Sequence, residues 1–260
     1  MSTTNPPSGS AGLRDSGPAQ DAASQDGGLA LVASPVHTAR FVAVLLGVAI
    51  LIAVQSSRVP ATPERSHVAQ YLVLLAFEWA LFAFAWLGLR RRGTSVRAII
   101  GGRWRSAKDV LATLMLSAGF WIVALVVLAG MKRALDVLGQ SPVDEARRTQ
   151  ALMAPHGVLE SALWVILSAS AGFCEEFVFR GYLQRQLAAL TRRPAIGIAA
   201  SALIFGIGHA YQGWRSVIVI TVYGLLFGLL AHFSRSLRPG MVAHACQDTF
   251  SGLISGLIHR

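Results

Sequence analysis

Apolar residues gather in seven long blocks along this chain, at 39–56, 68–89, 109–131, 158–184, 195–211, 215–233 and 239–258. Polar or basic connections separate them. A membrane-crossing helix needs about 20 mostly apolar residues, and only helices or closed barrels satisfy their own backbone groups in lipid. The pattern therefore predicts an all-α fold, a polytopic transmembrane helix bundle of seven spans. The fourth block is the least regular, because it carries Glu160, Glu175, Glu176 and Arg180. Helical apolar spacing persists over 181–190, so a long fourth helix reaching about 190 is expected. Residues 1–36 are rich in Ser, Gly, Pro, Ala and Asp and cannot bury enough surface to order themselves, which predicts a disordered tail. The tail has no basic n-region followed by an apolar stretch, so it does not read as a secretory signal. The chain then divides into the tail at 1–36, helices and loops at 37–156, and a chemically richer part at 157–260.

Composition narrows the class. Apolar residues make up 53% of the 260 positions and charged residues only 14%, against about 25% charged in an ordinary soluble chain. A soluble enzyme, a coiled coil and a disordered protein are all disfavoured. The net charge of +10 would suit nucleic acid, but the basic residues sit in short loops between apolar blocks. That is the placement of cytoplasmic loops in membrane proteins, so no nucleic-acid partner is expected. The loop with Arg90, Arg91, Arg92, Arg97, Arg103, Arg105 and Lys108 is assigned to the inside. Alternation puts the loops with Arg192 and Arg193 and with Arg235 and Arg238 inside too, the N-terminus in the cytoplasm and the C-terminus outside. The last four residues carry no cysteine of the kind a prenyl group is attached to. Cys174 and Cys246 lie in apolar blocks and form no metal-clip spacing. The tryptophans at 79, 86, 104, 121, 164 and 214 are expected to include membrane-interface anchors rather than to form a cofactor box.

Ionisable side chains inside a span are costly and usually face a partner or a wet cavity. They fall in three clusters: Cys174-Glu175-Glu176-Phe177-Val178-Phe179-Arg180, then Phe205-Gly206-Ile207-Gly208-His209, then His244-Ala245-Cys246-Gln247-Asp248. Glu176 and Arg180 are four apart, share a helical face and can pair. Glu175 lies about 100° round from Glu176 and is free to face something else. His244 and Asp248 also share a face, and Phe205 sits one turn below His209. Three helices of a bundle can bring these clusters to one cavity. Glu78, alone in the second block, is expected to be structural.

In order, the clusters spell EExxxR, FxxxH and HxxxD. This resembles the CPBP family of intramembrane proteases, which includes the type II CAAX prenyl endopeptidases and bacterial relatives linked to bacteriocin immunity. The resemblance covers about 158–258 and makes 157–260 the expected set of catalytic helices; better-known members are described with eight helices, so the resemblance sets the expectation at seven to eight spans. It implies Glu175 as general base, His209 as its partner on the attacking water, and His244 and Asp248 as oxyanion or substrate-carbonyl ligands. Glu176, Arg180 and Phe205 would support them. The better-characterised prenyl endopeptidases have Asn where this chain has Asp248. An ionised Asp cannot donate to an oxyanion, so Asp248 is either protonated or orients His244.

The implied reaction is endoproteolysis of a membrane-associated peptide or protein by glutamate- and histidine-activated water. Glu175, His209 and His244 are an acceptable zinc triad by type, and the family is often labelled metalloprotease, yet no HExxH motif occurs. The reading favours a metal-free mechanism with zinc as the alternative. The Ala-, Arg- and Gly-rich composition suggests a bacterial cytoplasmic membrane, where a membrane peptide, an immunity target or an anchored regulator suits better than a prenylated protein. A silent scaffold or immunity factor using the same cavity is the alternative function. A proton-coupled transporter is disfavoured by the lack of inverted repeats.

Overall fold

The computed structural model describes residues 29–56, 66–139 and 153–258. Among them the architecture is all-α. In chain order the helices are α1 (Pro35–Ser56), α2 (Val68–Arg90), the short α3 (Val96–Ile100), α4 (Ala107–Val137), α5 (Gly157–Thr191), α6 (Pro194–Gly208), α7 (Trp214–Ser234) and α8 (Arg238–Ile258). Five of these, α1, α2, α4, α5 and α7, are long and apolar enough to cross a membrane. The sequence predicts seven to eight. The α6 helix falls short because it ends at Gly208, not 211, and spans only 15 residues. In α8, apolar residues are interrupted by His244, Gln247 and Asp248. Broad apolar faces point outward, as on α4, where Met115, Ile122, Leu125 and Val126 are all exposed. A helix in lipid has no reason to hide such residues.

The expected disorder at 1–36 needs correcting at its C-terminal end, while 1–28 lie outside the described residues. Gln186, fully buried on α5, captures the chain just before α1. Its Oε1 accepts from the N–H of Val32 (2.9 Å) and Ala33 (3.0 Å), and its Nε2 donates to the Ala33 carbonyl (2.9 Å). These bonds satisfy backbone groups that would otherwise be buried bare. Composition favours the capture as well, because the Ser- and Gly-rich run gives way to Leu29-Ala30-Leu31-Val32-Ala33.

The α5 rod is the long fourth helix the apolar spacing predicts, reaching Thr191. Its middle, Glu176–Leu183, is π-helical, a widening that recurs at functional sites. The N–H of Gln184 reaches back to the Phe179 carbonyl, which also accepts from Ser201 Oγ at 2.6 Å. Arg192 takes a left-handed conformation (φ 55°) to end α5, and Pro194 opens α6 two residues later.

Two ends of the bundle are pinned differently. At one end, Leu237 N–H donates to the Ile100 carbonyl (2.8 Å), Arg238 donates to the carbonyls of Gly101 and Gly102, and Arg185 donates to that of Ile99 (2.7 Å). The basic loops expected on one side of the membrane are thus joined. At the other end, buried Glu160 accepts from Ser66 Oγ, His67 N and His156 N, and lies 3.3 Å from His67 Nδ1. That clasp ties the start of α2 to the start of α5. The interior between is aromatic: Phe41, Phe84 and Tyr182; Phe82, Phe173 and Phe177; Phe120, Tyr223 and Phe227.

Candidate active site

Helix register sets the depth of the site. Gly181 of α5 is level with Leu237, which immediately precedes α8. Counting six or seven residues from there, at 1.5 Å each, places Glu175 on α5 and His244 on α8 about 9–10 Å into the bundle. The two helices meet closely at Gly172, where a Cβ would sit 2.7 Å from the Met241 carbonyl and 2.8 Å from the Ala245 nitrogen. Any side chain at 172 would push α8, and His244 with it, away from the two glutamates. The long α5 also resolves the depth of His209. Pro194 starts α6 beside the end of α5, so His209 lies about 22 Å along α6 and Glu175 about 24 Å back along α5.

Glu175, His209, His244 and Asp248 all line one cavity of about 330 Å³, together with Phe205, Tyr211 and Glu78. The structure therefore assembles the sequence-predicted cluster around one hollow, with none of it on an outward face. Glu175 and Glu176 diverge as their 100° offset requires, yet both address His244. Glu175 Oε2 is 3.6 Å from Nε2, and Glu176 Oε1 is 3.1 Å from Nδ1. Asp248 Oδ2, one turn along α8, is 3.4 Å from Nε2. Nδ1 therefore donates to Glu176. Nε2 faces the carboxyl groups of Glu175 and Asp248, which are acceptors when ionised.

Glu176 is the centre of this clamp, a role that i,i+4 spacing alone hides. Its Oε1 also accepts from Arg180 Nη1 at 2.9 Å, and both side chains are about 98–99% buried. The remaining guanidinium edge donates to the Gly224 carbonyl (3.3 Å), and its plane lies over Phe205 (4.5 Å) and Phe227 (5.0 Å). Arg180, Glu176 and His244 form one buried chain of donors and acceptors crossing α5, α7 and α8. His209 is positioned differently. It ends α6, and its Nδ1 donates to the Phe205 carbonyl at 2.9 Å. A neutral ring holding that bond presents an unprotonated Nε2 as acceptor. Phe205 packs edge-on against it at 4.7 Å, as their spacing predicts.

The zinc alternative does not fit. Among the described residues no three His, Cys, Asp or Glu side chains are grouped to hold a metal ion. Both nitrogens of His244 are turned to carboxyl groups, and His209 spends Nδ1 on a backbone carbonyl. Cys174 is buried and Cys246 exposed, and both are free thiols.

Several contributors escape the motif. Tyr211, in the turn after His209, lines the cavity, and its oxygen accepts from Gln212 Nε2 (3.0 Å). Burial pushes its phenol up to about 12, so it stays a proton donor. Trp164 donates to the Asp248 carbonyl (2.8 Å) and Trp121 to that of Ala243 (3.0 Å). These two tryptophans pin α8 within the bundle and are not interface anchors, because a buried indole N–H seeks a partner. Tyr223 donates to Gln247 beside the cavity. Only Glu78 carried a signal in the sequence, as a lone acid in an apolar block.

No curated protein and no solved structure matches the chain. A family model does match, over residues 157–250: the type II CAAX prenyl endopeptidase Rce1-like family. The matched stretch runs from the first residue of α5 into α8 and contains all three clusters in order. Residues 157–250 are thus an Rce1-like type II CAAX prenyl endopeptidase family domain.

Proposed function

We propose that this chain is an intramembrane endopeptidase that hydrolyses a peptide bond of a membrane-associated substrate with an activated water. What carries the reading is the convergence of Glu175, His209, His244 and Asp248 on one hollow inside the bundle. Water held between the Glu175 carboxylate and the free Nε2 of His209 is oriented by both. Glu175 takes one proton from it as the oxygen attacks the peptide carbonyl carbon. The oxyanion then forms beside His244 Nε2–H and the Tyr211 hydroxyl, two preorganised donors in a water-poor site. Asp248 and Glu176 hold the His244 ring from its two nitrogens, which answers the Asn-to-Asp departure: Asp248 orients a donor and need not be one. As the C–N bond breaks, Glu175 returns its proton to the leaving amine. The products are a carboxylic acid and an amine, and the acid's proton passes to the amine to leave a carboxylate and an ammonium group.

The substrate class follows from the setting. The cavity is buried among helices long enough to span a bilayer, so a peptide segment within or beside the membrane is what can enter it. A bacterial cytoplasmic membrane with the basic loops on its cytoplasmic side suits the charge distribution. The experiment is cleavage of a quenched-fluorescence membrane peptide library by the reconstituted protein. Wild type cleaves, and Glu175→Gln loses at least about a hundredfold, in the range of a lost general base. Equal cleavage by both removes the base from the mechanism. A Glu175→Ala chain that keeps its cellular phenotype would instead favour a scaffold.

A further inference from the structure

A second cavity, of about 120 Å³, lies behind the first and is walled by apolar side chains of α1 and α2, among them Leu45, Ile52 and Phe77. The two cavities share Leu74, Glu78, Glu175, His209 and Tyr211. These five residues form the neck that both cavities share, and all but Leu74 are polar or ionisable. Apolar cavities of about 150 Å³ stay dry and take a benzene-sized group, so the second chamber suits one aliphatic or small aromatic side chain.

Glu78 stands in that neck from the α2 side. Trp79 stacks on Phe173 and Phe82 packs on Phe177, which puts Glu78 about one helical turn from Glu175 along α5. The Glu78 carboxyl oxygen Oε2 is buried and has no hydrogen-bond partner among the described residues. A buried acceptor without a donor costs free energy in the resting protein. The fold tolerates it on the wall that the two cavities share. Glu78 also lies outside 157–250, so the family match says nothing of it.

We infer that Glu78 is a substrate-binding residue, whose Oε2 accepts a backbone N–H of the peptide as it passes from the apolar chamber to Glu175. This rests on the endopeptidase reading and adds to it a contact supplied by the amino-terminal helices. An acceptor at this point aligns the chain and leaves the chemistry to Glu175.

The test uses Glu78→Gln and Glu78→Leu in the full chain, with the best-cleaved library peptide as probe. Gln keeps a carbonyl acceptor, and Leu has none. Leu should raise KM about tenfold or more, the scale of one lost buried hydrogen bond, with kcat changed less than about threefold. Gln should restore KM to within about threefold of wild type. Thermal stability of Glu78→Leu should equal or exceed that of wild type, because an unpartnered polar atom has been removed; a structural role would lower it. Unchanged KM in Glu78→Leu overturns the inference, as does loss of kcat alone in both variants, which would mark a proton carrier. A second arm measures retention of the uncleaved peptide pool by Glu175→Gln with and without Glu78→Leu, read by mass spectrometry. Retention that depends on Glu78 while wild type cleaves nothing supports the binding residue and overturns the peptidase reading. Retention by both proteins alike, or by neither, overturns the Glu78 inference.

Discussion

Arg180 is the residue whose removal is most informative about how the site is held. Arg180→Leu would leave Glu176, about 99% buried, without its 2.9 Å ion pair. Breaking a buried pair from one side costs about 3–5 kcal/mol, because the survivor is a bare buried charge. The Gly224 carbonyl loses its 3.3 Å donor as well, and Phe205 and Phe227 lose the cation between them. His244 Nδ1 still donates to Glu176 at 3.1 Å, which offsets part of the loss and sets the expectation at the lower end, about 3 kcal/mol. For a chain of this size that is a fall of roughly 6–12 °C in Tm. Glu176→Gln should cost less, since its carbonyl can accept from both Arg180 and His244, though Arg180 is then the unpaired charge. Glu176→Met/Arg180→Met should recover much of the stability while remaining inactive, because His244 Nδ1 loses the acceptor that fixes its ring. The assay is thermal unfolding in a single detergent, read by tryptophan fluorescence, beside peptide cleavage. A fall under about 1 kcal/mol for Arg180→Leu, or a double variant less stable than both singles, would refute the buried-clamp account.

Four further outcomes follow from the same geometry. Gly172→Leu should abolish cleavage and lower Tm, because its Cβ would lie within 2.8 Å of α8 backbone; normal activity would deny the close crossing. Trp164→Phe should cost about 1 kcal/mol, one hydrogen bond to the Asp248 carbonyl, measured by chemical or thermal unfolding. Gln186→Leu strips three hydrogen bonds from residues 32 and 33 and should speed proteolysis just before α1 at least about tenfold, since each bond is worth about 0.5–1.5 kcal/mol. Chelation should leave cleavage intact, since no three ligands are grouped among the described residues; loss restored by added zinc would reverse the metal-free reading.

How far the sequence reveals this site depends on the range of the interactions involved. Glu176 and Arg180, four apart, and His244 and Asp248, four apart, announce their own contacts because a helix makes near neighbours of them. Phe205 and His209 do the same. The long α5 is legible because 181–190 keeps its apolar spacing. What spacing cannot report is partnership across helices. That Glu176 holds His244, 68 residues away, depends on the α5–α8 crossing at Gly172. That Gln186 captures residues 32 and 33 depends on 153 residues of intervening chain. Trp121 and Trp164 are hard to read for a related reason: an indole within an apolar block has the same composition signature whether its N–H meets a headgroup or the backbone of a neighbouring helix. Two of the seven apolar blocks, those of α6 and α8, fall outside the five helices long and apolar enough to cross a membrane, because block composition does not reveal that α6 stops at Gly208 or that His244, Gln247 and Asp248 interrupt α8.

In the proposed mechanism the adjacent glutamates divide two tasks that a single acid could not perform. Glu176 is spent: its charge is committed to Arg180 and its remaining capacity to His244 Nδ1. A single carboxyl in that position could not also face the hollow, because the bonds that hold it point into the α5–α7–α8 interface. Glu175, one residue earlier and a hundred degrees round, has a partly exposed side chain on the cavity. The division separates holding from reacting. Glu176 fixes the imidazole that Glu175 must work beside, and the arginine keeps Glu176 from competing for the same proton. A swap of the pair's roles is therefore barred by geometry, and substitutions at the two positions should fail differently: Glu175→Gln in turnover with Tm preserved, Glu176→Leu in Tm and turnover together.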